Sequence, residues 1–261
     1  MRSAVLLVLA VAVGSGGALA QGALLESADE LAHLSELPGY RSIQSVQSGA
    51  LPPRSEVTNV PAPREQVDTS SCVSWSVTYA AASQAARRMG LGAKLILSPS
   101  FTYNQVAGDP FCRKSTSIPK TLDLLRDTGA LPIEEFVFDP GFCGRLPTDA
   151  ERKRAARYRI KGWSRFDATD IDAVKARLAR GVPVIFNIRV GTKLRGHRGD
   201  GVFDSDEGFI DGHAMLAIGY DDAKKAFRIQ NSWGRTWGDG GYGWFSYEFW
   251  KRNARVGYVI D

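Results

Sequence analysis

Cysteine, histidine and methionine are scarce in this 261-residue chain, with three of each. His33, His197 and His213 show no ligand-like spacing with thiols or carboxylates, so no metal centre is expected, and no nucleotide-binding motif implies a cofactor. Charge of one sign is not in excess: 33 Lys and Arg against 28 Asp and Glu leave +5, too scattered to call for a nucleic-acid partner. Internal repeats and low-complexity tracts are absent. Long apolar runs are also missing after the first 20 residues, which excludes a later membrane span. Ala4 to Val13 is apolar, follows Arg2 and leads to Ala18-Leu19-Ala20, the pattern of an export signal cut after Ala20. The mature chain is therefore expected outside the membrane, secreted or periplasmic, as a monomer. Export permits disulfides; three cysteines allow at most one internal pair and leave one thiol over.

What is present is ordinary globular composition, 44% hydrophobic and 23% charged. Residues 21–50 are polar, with a weak stripe of Leu25, Leu31, Leu34 and Leu37 ended by Pro38-Gly39, and read as a short leader or pro-like segment. Four prolines within 51–66 predict an extended strap. Helices are expected from Cys72 to Met89, from Ile118 to Thr128 behind Ser117, and from Asp170 to Arg180 behind Thr169. Strands are expected after Pro183, over Val184 to Val190, Ala214 to Tyr220, Ala226 to Gln230 and Tyr242 to Tyr247. The basic stretch Arg152 to Arg165, alternating with Tyr158 and Ile160, reads as a half-exposed strand with a solvated face. A helical half beside a sheet half leaves a cleft, where binding sites commonly form.

Three groups in that frame carry chemistry. Cys72 stands at a predicted helix N-terminus, where unpaired N–H groups favour thiolate. His213 begins a strong strand and is suited to shuttling protons. Asn231, in Asn231-Ser232-Trp233-Gly234, offers an amide oxygen to orient an imidazole, with Trp233 to shield the bond. Taken singly, each is equally a buried cysteine, a structural histidine or a turn asparagine.

Together, the segments Asp211-Gly212-His213-Ala214…Gly219-Tyr220 and Asn231-Ser232-Trp233-Gly234…Trp237-Gly238…Gly241-Tyr242 resemble the two downstream active-site segments of papain-like cysteine peptidases. The 141 residues between Cys72 and His213 fall within that family's roughly 130–150. The resemblance covers about Leu51 to Asp261. It implies an α+β fold of two subdomains, a helical left half and an antiparallel sheet or barrel as the right half, with the site in the cleft. It further implies a Cys72–His213–Asn231 triad, with Gln66, six residues before Cys72, supplying an oxyanion donor beside a backbone N–H. A family disulfide would join Cys112 to Cys143 and leave Cys72 free. Trp233, Ala214, Asn187 and Asp211 fall at substrate-binding positions, more polar than the family's usual pocket.

The chain departs from the pattern where Val67 and Ser70 replace glycines, Thr69 replaces a disulfide cysteine, and Arg113-Lys114-Ser115-Thr116 replaces the glycines that pair with substrate. The function expected is exported endopeptidase action on peptides or proteins through a thioacyl-enzyme. Two alternatives are a binding protein that lost the activity and an acyl-transfer or amide hydrolase acting on cell-wall peptide. Residues 21–50 are expected to plug the cleft until a cut near Ala50.

Overall fold

The computed structural model describes residues 22–42 and 51–261. The expected signal segment and the cut near Ala50 lie outside them.

The helix that begins at Cys72 is continuous over 72–88 but not uniform: Cys72–Ser74 is α-helical, Trp75–Ala82 widens to a π-helix, and Ser83–Arg88 returns to α. Small residues throughout let it run through the middle of the core, with Cys72, Val77 and Ala82 all buried, and Gly90 ends it at φ +79°. Pro99–Ala107 and Ile118–Asp127 pack on it, each with a serine N-cap, Ser98 and Ser117, followed by proline in the first turn. The helix expected from Asp170 is Ile171–Ala179; Asp170, not Thr169, caps it, by accepting from the Ala173 N–H at 3.0 Å.

The expected sheet is present and extends into the first half of the chain. Its strands are β1 (Arg54–Glu56), β2 (Trp163–Asp167), β3 (Val184–Val190), β4 (Val202–Phe203), β5 (Asp211–Asp221), β6 (Ala226–Gln230), β7 (Tyr242–Ser246) and β8 (Val256–Ile260). The order is β2-β8-β3-β5-β6-β7-β4, with β1 on β5. All pairings are antiparallel except β4 with β7, and the sheet does not close into a barrel. The helical-then-sheet division is thus incomplete, because β1 and β2 cross over to join the later strands. The basic stretch is corrected too. Thr148 and Glu151 form a reciprocal capping box, so residues Asp149–Ala155 are helical and only Trp163–Asp167 enters the sheet.

Alternation along β3 decides what faces where. Phe186, Ile188 and Val190 point into a core against helices Ile171–Ala179 and Tyr247–Asn253, whereas Ile185 joins the core shared with the helical half. Asn187 shares the Ile185 side and so faces the cleft.

Candidate active site

Cys72 stands at the first position of its helix, after Ser71, and is fully buried. His213 comes from β5 and Asn231 from the end of β6, so the sheet register brings two distant residues together. The His213 Nε2 and Asn231 Oδ1 lie 2.7 Å apart. Asn231 Oδ1 also accepts the Ser232 N–H at 2.7 Å, which fixes it as the oxygen and makes Nε2 the protonated ring nitrogen. Nδ1 then carries the lone pair and has no hydrogen-bond partner among the described residues. Trp233 stacks on the imidazole, with centroids 4.3 Å apart and 25° between planes, and so shields the His213–Asn231 bond from water.

The loop before Cys72 accommodates residues other than glycine. Val67 takes φ +55°, the left-handed region natural to glycine and costly for a β-branched side chain. Side-chain bonds hold this turn. Thr69 Oγ1 donates to the Gln66 carbonyl at 2.7 Å and lies 2.6 Å from Ser71 Oγ. Gln66 is buried, its Nε2 donating to the Thr69 carbonyl at 2.6 Å and its Oε1 accepting from Ser232 at 2.7 Å, which ties it to the Asn231 turn. Cys112 and Cys143 are joined, leaving Cys72 as the free cysteine.

Residues 22–26 occupy the cleft. The Gly22 N–H donates to Cys72 Sγ at 3.2 Å. The Thr116 N–H donates to the Gly22 carbonyl at 2.7 Å, and the Leu24 N–H to the Thr116 carbonyl at 2.8 Å, a parallel bridge on the helical wall. Ala23 N–H donates to the Gly212 carbonyl at 3.1 Å on the sheet wall. Both walls require close approach: a Cβ on Gly22 would stand 1.9 Å from the Ser70 carbonyl oxygen, and one on Gly212 2.1 Å from that of Ala23. Thr116 therefore pairs with an extended chain through its backbone, although the sequence lacks the expected glycines there.

This cover reverses the expected electrostatics. Burial pushes the Cys72 thiol up to about 11, against the N–H groups of Ala214, Gly22 and Val73 that favour thiolate. Burial likewise pushes His213 down to about 4, against its bond to Asn231. Both shifts favour the neutral forms near pH 7, against the thiolate expected from the helix N-terminus.

Among the other expected substrate-binding residues, Ala214 and Asn187 are buried against the cleft, and Asn187 Nδ2 donates to the Leu24 carbonyl at 3.1 Å. Asp211 is exposed at the start of β5 and takes no part in the contacts with residues 22–26. The sequence does not single out Gly212 or Tyr258 as cleft residues, whereas Thr116 ends the Arg113–Thr116 stretch that stands in place of the family's substrate-pairing glycines.

Comparison with known proteins shows the family and the fold. Residues 51–253 match the model of the papain family of cysteine proteases. Xylellain, a cysteine protease from Xylella fastidiosa, is 27% identical, with a TM-score of 0.79 over 92% of this chain and 95% of that one. Procathepsin B S9 from Trypanosoma congolense, 17% identical, shares the fold at a TM-score of 0.72 over 92% and 86% of the two chains. Peptidase 1 of Euroglyphus maynei is 26% identical over 136 residues, 50% of this chain and 41% of its own length. A peptidase C1-like protein of Acanthamoeba polyphaga mimivirus is matched over 59% of its length. With its fold and 203 matched residues, the chain belongs to the papain family of cysteine proteases.

Proposed function

We propose that this chain is an exported cysteine endopeptidase, held in an inactive form by its own residues 22–26. The observation that carries this reading is the passage of 22–24 between Thr116 and Gly212, with the Gly22 N–H on the Cys72 sulfur. Once the cover leaves, water reaches the site and the desolvation that keeps both groups neutral is relieved, so the proton passes from Cys72 to His213 Nδ1. The thiolate attacks the peptide carbonyl carbon. Gln66 Nε2 and the Cys72 backbone N–H stabilise the oxyanion, and the imidazolium protonates the leaving amine. Water, deprotonated by His213, then hydrolyses the thioacyl-enzyme and returns the thiol. Asn231 keeps Nε2 protonated throughout, so Nδ1 stays available for these transfers.

Residues 1–20 serve as the export signal in this reading, and the Cys112–Cys143 disulfide suits an oxidising compartment. A tether raises the effective concentration of a weak plug to the millimolar range, which lets a five-residue contact hold the cleft. The test compares initial rates on one fluorogenic peptide for chains beginning at Gln21 and at Leu51, each with a Cys72→Ala control. The shorter chain should cleave faster and its control not at all. Equal rates from verified intact chains would remove the plug, and a Cys72→Ala chain as active as its parent would remove the nucleophile.

A further inference from the structure

Backbone pairing by residues 22–24 is enough to cover Cys72, yet the segment also places a carboxylate in the sheet wall. Glu26 Oε1 accepts from the Tyr258 hydroxyl and, at 3.4 Å, from Asn187 Nδ2. Asn187 is 3% exposed and Tyr258 is fully buried. They stand on neighbouring strands, since Ile185, two residues before Asn187, pairs with Tyr258. Burial raises the Glu26 carboxyl above its usual range, and the hydrogen bonds from Tyr258 and Asn187 oppose that rise, so these donors offset part of the cost of burying the acid.

Beside this carboxylate lies an open cavity of about 340 Å³ whose wall carries Arg189, Arg252 and Arg255. None of the three forms an ion pair among the described residues. Arg252 donates to the Asp204 carbonyl at 3.0 Å, and the Asp167 side of Arg255 faces a separate depression. An aliphatic side chain in the Glu26 position would leave the Asn187 amide without its carboxylate and strand the buried Tyr258 hydroxyl; an acid satisfies both and faces a cationic rim.

We propose that this pocket selects an acidic side chain, so that peptides carrying Glu or Asp at the matching position are the substrates, with Asn187 and Tyr258 as the specificity-determining residues. Glu26 is the pocket's occupant in the intact chain. The inference rests on the cleft being the peptide-binding site proposed above.

The test uses the chain beginning at Leu51, which lacks residues 22–26 and so leaves the pocket vacant, with Cys72→Ala to separate binding from cleavage. Labelled hexapeptides carry Glu, Gln or Leu at each position in turn, and binding is read by fluorescence anisotropy. At one position Glu should bind about tenfold tighter than Gln or Leu, the scale set by hydrogen bonds to a charged group. Asn187→Leu and, separately, Tyr258→Phe should bring that preference to within about twofold, and Arg252→Gln should weaken its dependence on salt. Tyr258→Phe keeps the ring that packs the core, so it serves if Asn187→Leu does not fold. No binding, equal binding of Glu and Leu at every position, or a preference that both pocket substitutions leave intact would overturn the proposal. The same peptides are then given to the chain beginning at Leu51 with Cys72 present. Acid-selective binding without hydrolysis, and without an adduct from a thiol-directed epoxide, would sink the peptidase reading alone. Hydrolysis without acid selectivity would sink the pocket alone.

Discussion

The two walls of the cleft hold their functional groups by different means. On the sheet wall, ladder register does the positioning: β5 and β6 bring His213 to Asn231, and β3 beside β5 sets Asn187 opposite Ala214. On the helical wall no strand carries Gln66 or Cys72; an isolated Glu65–Trp233 bridge, with the Gln66 N–H donating to the Ser232 carbonyl at 2.8 Å, is the backbone pairing beside Gln66. The loop over 66–71 is held by single contacts: the Ser70 N–H donates to the Cys112 carbonyl at 2.7 Å, Thr69 bonds to Gln66 and Ser71, and the Gln66 side chain bonds across to Ser232. A regular element positions residues through many shared backbone bonds, whereas a loop relies on a few individual contacts. The sheet wall should therefore lose function when its reactive groups change, and the helical wall should lose stability when its loop contacts change.

The largest effect expected is from Cys72→Ala in the uncovered chain, which should cost about 10⁴-fold in kcat/KM with the unfolding midpoint nearly unchanged. Asn231→Ala, on the other wall, should cost about a hundredfold through the lost tautomer preference, read in the same assay. Loss of fold in Asn231→Ala would break the comparison, because it would make the sheet-wall pair structural.

A pH titration of the intact chain sharpens it. The folded value of His213, about 4, lies below the ordinary 6.5. Between these values the unfolded chain holds a proton that the folded chain refuses. Stability from this group is present above pH 6.5 and is lost as pH falls toward 4, by up to roughly 3 kcal/mol. Glu26, whose value is raised, works in the opposite sense: its contribution is present below its ordinary value of 4.5 and is lost as pH rises. Urea midpoints across pH 4–7 should slope less in His213→Gln than in the parent; parallel slopes would show that the burial of His213 is not felt.

Smaller effects belong to the loop. Thr69→Ala leaves the Gln66 carbonyl and the Ser71 hydroxyl short of a partner, and should cost about 1–3 kcal/mol in the unfolding midpoint. Val67→Gly should act the other way. Relief of the left-handed backbone is worth about 1–2 kcal/mol, and the extra freedom of unfolded glycine returns about 0.5–1, for a net gain below ~1.5 kcal/mol. A destabilised Val67→Gly chain would mean that the exposed valine side chain contributes more than its backbone costs.

Much of this site is legible in the linear order of residues because its chemistry depends on residue type at fixed spacing. Cys72 after a serine at a helix start, His213 at the head of an apolar run, and Asn231 before Ser-Trp-Gly each carry a local signal. Helix starts at Ser117 and strand limits at Ala226 and Gln230 were likewise readable, since caps and alternation act over a few residues. The helix over Asp149–Ala155 escapes that reading because the alternation of basic and apolar residues lies just beyond it, over 157–161, while the Thr148–Glu151 capping box decides the backbone.

What the sequence determined by itself, then, is the set of reactive groups and most of the elements that carry them, through local spacing and capping. Tertiary structure alone decided their state. Residues 22–26 reach Cys72, Thr116, Gly212 and Asn187 across 50 to 190 positions of sequence, contacts that no local pattern encodes. Burial beneath that segment, a property of the assembled fold, keeps the thiol and imidazole neutral where a helix N-terminus alone would favour thiolate.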